Sequence, residues 1–151
     1  MPNHFHLLAS VQEVELGTIL RELMGNTSKR INGEAGVINH LWGIRTFRSV
    51  VGTQSYYTAV YQYVYQNPVR ANLAGQCEEW KYSSLNGLLG RSRIFIPIED
   101  NLLFSPNFDE SILSWLNCRI SQERIELIQK GLKKKIFKVP KAYASTDPLL
   151  N

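Results

Sequence analysis

"HFHLLAS", residues 4–10, is the stretch on which the reading of this chain turns. Taken as a strand, it sends alternate side chains to opposite faces, so His4 and His6 share one face while Phe5 and Leu7 enter the other layer. Two neutral imidazoles standing side by side can grip one cation without any loop having to order itself, and an ion held that way keeps positions open for water or phosphate. A His-x-His pair alone is a weak signal; a strand with two polar residues on its exposed face is the plain alternative. The third histidine, His40, precedes Leu41 and Trp42 at a strand entrance and reads as structural.

Working outward, helical and extended patterns alternate. Leu16, Ile19, Leu20, Leu23, Thr27 and Ile31 recur at helical spacing, and Asn32-Gly33 supplies a stop. "GVINHLWGIRTFRSVV", residues 36–51, is rich in β-branched and aromatic residues and reads as a strand or hairpin ending at Gly52. Thr53 or Ser55 then caps a helix that runs through Tyr65 and ends near Gln66 or Asn67, because Pro68 disfavours helical geometry in the residue before it. "CEEWKYSSLNGLLG", residues 77–90, predicts a turn and a short helix. Two helices follow a connecting stretch, Asp109 to Asn117 and Ser121 to about Ile136, capped by Asp109 and Ser121.

The chain has 151 residues, 44% of them hydrophobic, enough for one ordinary core with a small appendage. No apolar run approaches the roughly 18 to 20 residues of a membrane span, and the start lacks a secretory leader, so a soluble cytoplasmic protein with no membrane partner is expected. Cys77 and Cys118 have spacing that fits neither a zinc ribbon nor a disulfide framework and read as buried or idle thiols. The net charge of +4 permits an anionic partner. Lys130, Lys133, Lys134, Lys135, Lys138 and Lys141 form a run with no acid among them, for which a solvated face or loose tail is the plain reading. Lys29, Arg30, Arg45, Arg48 and Arg70 lie among aromatics in the first half, and guanidinium groups grip phosphate in a fork and stack on bases.

"YYTAVYQYVYQNPVRANL", residues 56–73, carries five tyrosines, Tyr56, Tyr57, Tyr61, Tyr63 and Tyr65. Aromatics on a helix are mostly packing residues. These five point different ways: Val60, Tyr63, Val64 and Asn67 follow helical spacing, which sets a hydroxyl and an amide on one face, while Tyr65 projects elsewhere and Tyr61 lies beside Tyr57 and Tyr65.

"MPNHFHLL", "HLWGIRTFRS", "YQYVYQNPVRANL" and "WKYSS", in this order and at these distances, resemble the REP-associated tyrosine transposases, a branch of the single-tyrosine HUH single-strand nucleases. The resemblance covers residues 1 to about 90. It implies an α+β fold, a ferredoxin-like antiparallel sheet with helices over residues 1–90, lacking the family's first strand-helix-strand, followed by a helical C-terminal extension with a basic tail over 91–151. It implies His4, His6 and Asn67 as ligands of a divalent metal ion, Mg2+ or Mn2+, and Tyr63 as the nucleophile. By the same resemblance Trp42, Arg45, Arg48 and Arg70 contact DNA. The implied activity is a metal-dependent endonuclease and strand transferase on single-stranded DNA with hairpin, REP-like ends, through a 5'-phosphotyrosine intermediate. The missing strands leave the histidine strand with unpaired edges, which admits a homodimer formed by strand pairing. The alternative is a truncated remnant that binds DNA hairpins without cutting.

Overall fold

The computed structural model describes residues 4–10, 16–38, 41–43, 47–95, 98 and 110–138. The chain divides into two units, Leu7–Phe47 and the combination of Met1–His6 with Arg48–Asn151.

The larger unit is built on one helix. Helix α2 (Gln54–Arg70) starts at Thr53, whose backbone is extended and whose Oγ1 accepts from the Tyr56 amide at 3.3 Å, so Thr53 rather than Ser55 is the cap. It runs through Pro68. Proline forfeits only its own N–H, and the turn beyond it closes with Ala71 N donating to Asn67 O at 3.0 Å and Leu73 N to Pro68 O at 2.9 Å. Asn72, at φ 55°, is the left-handed residue that stops the helix, a conformation asparagine tolerates better than most. From Thr58 to Tyr63 every residue of α2 is buried, the pattern of a helix enclosed on all sides.

Helices α4 (Glu110–Asn117) and α5 (Gln122–Leu132) pack on α2. The last carbonyls of α4 have no intrahelical donor, and two buried glutamines of α2 supply them. Gln62 Nε2 donates to Trp115 O at 2.7 Å and Cys118 O at 3.1 Å; Gln66 Nε2 donates to Leu116 O at 2.7 Å and Cys118 O at 2.5 Å. Tyr61 stacks on Trp115 beside this clasp, their ring centres 6.4 Å apart. A 3-10 turn at Cys77–Glu79 joins in, with Cys77 N donating to Asn117 Oδ1 at 2.9 Å. Helix α3 (Ser84–Leu88), capped by Ser83, buries Leu85 completely, and Asn86 Nδ2 ties it to the carbonyls of Glu78 and Trp80.

Helix α5 begins at Ser121, whose side chain accepts from Arg124 N. Near its end Gly131 is required by contact: a Cβ there would stand 2.8 and 3.0 Å from the ring of Phe137, itself 1% exposed. Val50 and Ile136 form a parallel bridge, with Val50 N donating to Lys135 O and Phe137 N to Val50 O, each at 2.9 Å.

The smaller unit carries helix α1 (Leu16–Ala35). Asn32-Gly33 does not stop it. The helix continues to Gly36 at φ 64°, where Val37 N reaches back to Asn32 O at 3.1 Å, a closure only a left-handed residue allows. Trp42 Nε1 donates to Met24 O at 3.0 Å.

The expected ferredoxin-like antiparallel sheet is not formed. Among the described residues 57% are helical, and the Val50–Ile136 bridge is the sole β pairing. A strand exists only through neighbours that take up its amides and carbonyls. Residues 4–10 run without helical geometry and pair in a ladder with no other described segment, and Phe5 and Leu7, expected in an inner layer, are 41% and 56% exposed. In the expected strand or hairpin over 36–51, Val50 is the one described residue in a pairing. The cap expected at Asp109 lies outside the described residues. No helix among the described residues is long and apolar enough to cross a membrane.

Candidate active site

Four of the residues singled out from the sequence meet in the larger unit. The His4 and His6 rings lie edge to face with centres 5.1 Å apart, and the Tyr63 ring lies edge to face with His6 at 5.9 Å. Over the Tyr63 ring, 4.9 Å from its centre, sits the guanidinium carbon of Arg70. Helical geometry accounts for half of this. Tyr63 and Arg70 are seven residues apart, two turns, and so share one face of α2. The other half comes from residues 4–6, which belong to the same unit although the 41 residues Leu7–Phe47 of the other unit separate them from its resumption at Arg48.

Tyr63 is 5% exposed, which shields its phenol from bulk water and strengthens any charge brought near it. Arg70 is half-buried, and its Nη1 is fully buried with no hydrogen-bond partner among the described residues. An unpaired buried guanidinium nitrogen is costly, so it marks a place for an acceptor such as a phosphate oxygen. His6 is held below the usual histidine range, first by desolvation and next by the like charge of His4, with Arg70 acting in the same direction. The imidazole is therefore neutral, with a lone pair to give, down to lower pH than an ordinary histidine.

Asn67 lies one turn beyond Tyr63 and is 7% exposed; its Nδ2 donates to the Tyr63 carbonyl at 3.0 Å, leaving the amide oxygen as the acceptor end of that side chain. With metal–nitrogen bonds of about 2.1 Å, two rings on one ion hold their centres roughly 5 Å apart, and the His4–His6 separation of 5.1 Å suits that as it suits ordinary edge-to-face packing. Among the described residues no three histidine, cysteine or carboxylate side chains gather, and the two imidazoles are the nitrogen donors that the described residues bring together here.

The remaining candidates fall elsewhere. Trp42 belongs to the other unit, where its indole is bound to the α1 backbone. Arg48 is exposed in the larger unit, and Arg45 and His40 lie outside the described residues. Of the other tyrosines, Tyr61 stacks on Trp115 and meets Tyr65 at 4.8 Å, the Tyr65 hydroxyl lies 3.0 Å from Ser84 Oγ, and Tyr56 meets Phe137 at 5.3 Å. These are packing roles. Gln62 and Gln66, which lock the helix that carries Tyr63, were not among the sequence candidates; their spacing of four on one helix face was the available signal. No family model, curated protein or solved structure matches this chain.

Proposed function

We propose that this chain is a metal-dependent endonuclease and strand transferase acting on single-stranded DNA with hairpin ends, in the manner of the REP-associated tyrosine transposases that its motifs resemble, and working in the cytoplasm, with a homodimer admitted. The observation that carries the reading is the approach of the Tyr63 ring to His6 at 5.9 Å, since these residues are far apart in sequence and the resemblance implies them as parts of one site. Tyr63 attacks the scissile phosphorus, its phenolic oxygen forming the new ester as the 3' oxygen departs; the proton lost by the phenol balances the one taken up by the leaving hydroxyl. A phenol has an ordinary pKa near ~10 and is a poor nucleophile at neutral pH. The Arg70 guanidinium lies over the Tyr63 ring, 4.9 Å from its centre, and its buried Nη1 offers a donor to a phosphate oxygen. A Mg2+ or Mn2+ ion, held by His4, His6 and Asn67, would supply Lewis-acid polarisation of the phosphate.

The test is an SDS-stable adduct on a labelled hairpin oligonucleotide. Adduct should form with Mn2+, vanish with chelator and in Tyr63→Phe, and persist in Tyr61→Phe and Tyr65→Phe. Persistence in Tyr63→Phe refutes the assignment of the nucleophile. Salt-sensitive binding with no covalent product at any metal concentration leaves the chain a binding module.

A further inference from the structure

The lysine run is held in place rather than trailing. Lys130 lies in the last turn of α5, and Lys133, Lys134, Lys135 and Lys138 follow on a segment pinned twice, by the Val50–Ile136 bridge and by the buried Phe137 ring against Tyr56. All five ammonium-bearing residues are exposed, and none of them makes a salt bridge with a described residue. The isolated Val50–Ile136 bridge fastens the turn that carries Lys133, Lys134 and Lys135 beside the segment of exposed Arg48, and exposed Lys138 follows the bridge by two residues. Phe137 alternates inward. Beside these cations lie two apolar side chains that the described residues leave open, Val50 at 66% and Ile136 at 55% exposed. Cations flanking bare hydrocarbon suit a single strand, which offers phosphates on its outside and unpaired bases to lie on apolar surface.

The position strengthens the case. Phe137 packs on Tyr56, which is seven residues before Tyr63 and therefore on the same face of α2, two turns or about 10 Å away along the axis. At the ~3.4 Å rise per nucleotide of a stacked strand that is about three nucleotides.

We infer that Arg48, Lys133, Lys134, Lys135 and Lys138, around Val50 and Ile136, form a track for the phosphates of a nucleic-acid single strand that leads to Tyr63. The inference takes its partner from the function proposed above and adds a surface that none of the sequence motifs assigns. Neutralising the track reduces the salt dependence of binding by a countable amount. Each phosphate contact on a single strand contributes about 0.7 to the slope of log K against log salt, so replacing Lys133, Lys134, Lys135 and Lys138 together by glutamine lowers the slope by up to about 3, and Lys134→Gln alone by about 0.7.

The experiment is fluorescence anisotropy of an oligothymidylate of about 20 nucleotides, long enough to span one such site, titrated at several salt concentrations in the presence of chelator. It needs no cleavage, so an inert Tyr63 leaves the readout intact and the two proposals fail separately. The fourfold glutamine variant should bind at least about tenfold more weakly with the lower slope, while the fourfold arginine variant keeps the parent slope. Circular dichroism of each variant confirms an unchanged helix content. A parental slope in the fourfold glutamine variant overturns the inference. So does loss of binding to phosphatidylserine vesicles with DNA binding intact, which would give the patch to a membrane surface instead.

Discussion

Replacing Gln66 by methionine keeps the length and the helix propensity of the side chain and removes its amide. Gln66 is 4% exposed and donates to two carbonyls at the end of α4, Leu116 O at 2.7 Å and Cys118 O at 2.5 Å. In the variant, Cys118 O keeps the bond from Gln62 Nε2 at 3.1 Å, whereas Leu116 O retains the thiol of Cys77 at 3.5 Å, a weak donor. The bond that Gln62 backs up is worth about 1 kcal/mol, and the stripped Leu116 carbonyl costs about 1 to 3 kcal/mol more, partly offset by the buried thioether. The expected loss is about 2 to 3 kcal/mol, a Tm lower by roughly 4 to 12 °C for a chain of this size. Gln62→Met alone leaves Cys118 O with Gln66, but the double variant strips that carbonyl of both donors, so its loss should exceed the sum of the singles by about 1 kcal/mol. Urea unfolding followed by helical circular dichroism, for the two singles and the double, measures the cycle. A Gln66→Met protein within about 0.5 kcal/mol of the parent, or a double variant that is simply additive, refutes the clasp.

Burial, and then the neighbouring Glu78 carboxylate, push the Cys77 thiol up to about 12, while Cys118 is exposed. Iodoacetamide at pH 8 should label Cys118 and spare Cys77 until urea opens the fold, and mass spectrometry of the two peptides reads the difference. Gly131→Ala drives a methyl into the Phe137 ring and should cost about 1 to 3 kcal/mol in thermal unfolding; pairing it with Phe137→Leu should recover part of that loss. The lowered pKa of His6 means that the folded chain takes up this proton less readily than the unfolded one. The contribution to stability is complete above 6.5 and falls away as pH drops through the lower folded value. An imidazole proton titration by NMR should place the His6 midpoint below 6.5, and His4→Gln should raise it by removing the like charge.

Much of α2, α4 and α5 could be read from the sequence, because an amphipathic or enclosed helix carries its own hydrogen bonds and its caps are local: Thr53 and Ser121 act where side chains of that kind must act. The errors at helix ends were also local. Asn32-Gly33 looks like a stop, but Gly36 is the residue that takes the left-handed turn, and Pro68 costs one N–H without ending α2. The extended segments were misread for a different reason. Alternation in residues 4–10 specifies which side chains share a face, not whether any neighbour will accept the backbone, and the one partner found for Val50 is Ile136, at the far end of the unit. Helical phase sets Tyr63 and Arg70 on one face of α2, but only the resemblance, not the pattern of residues, joins them to His4 and His6. The partners of Asn67 and Trp42 did not follow from sequence, because both side chains bond to backbone, which leaves no mark in residue type.

The bridge between Val50 and Ile136 brings the entrance of α2 and the exit of α5 within one hydrogen bond of each other. For protein engineering this is a splice point. A short glycine-serine connector from Lys138 back to Arg48 would close the stretch into a ring, and the exposed turn at Gly90 and Arg91 is where the ring could be reopened to give a circular permutant with α2, α4 and α5 undisturbed.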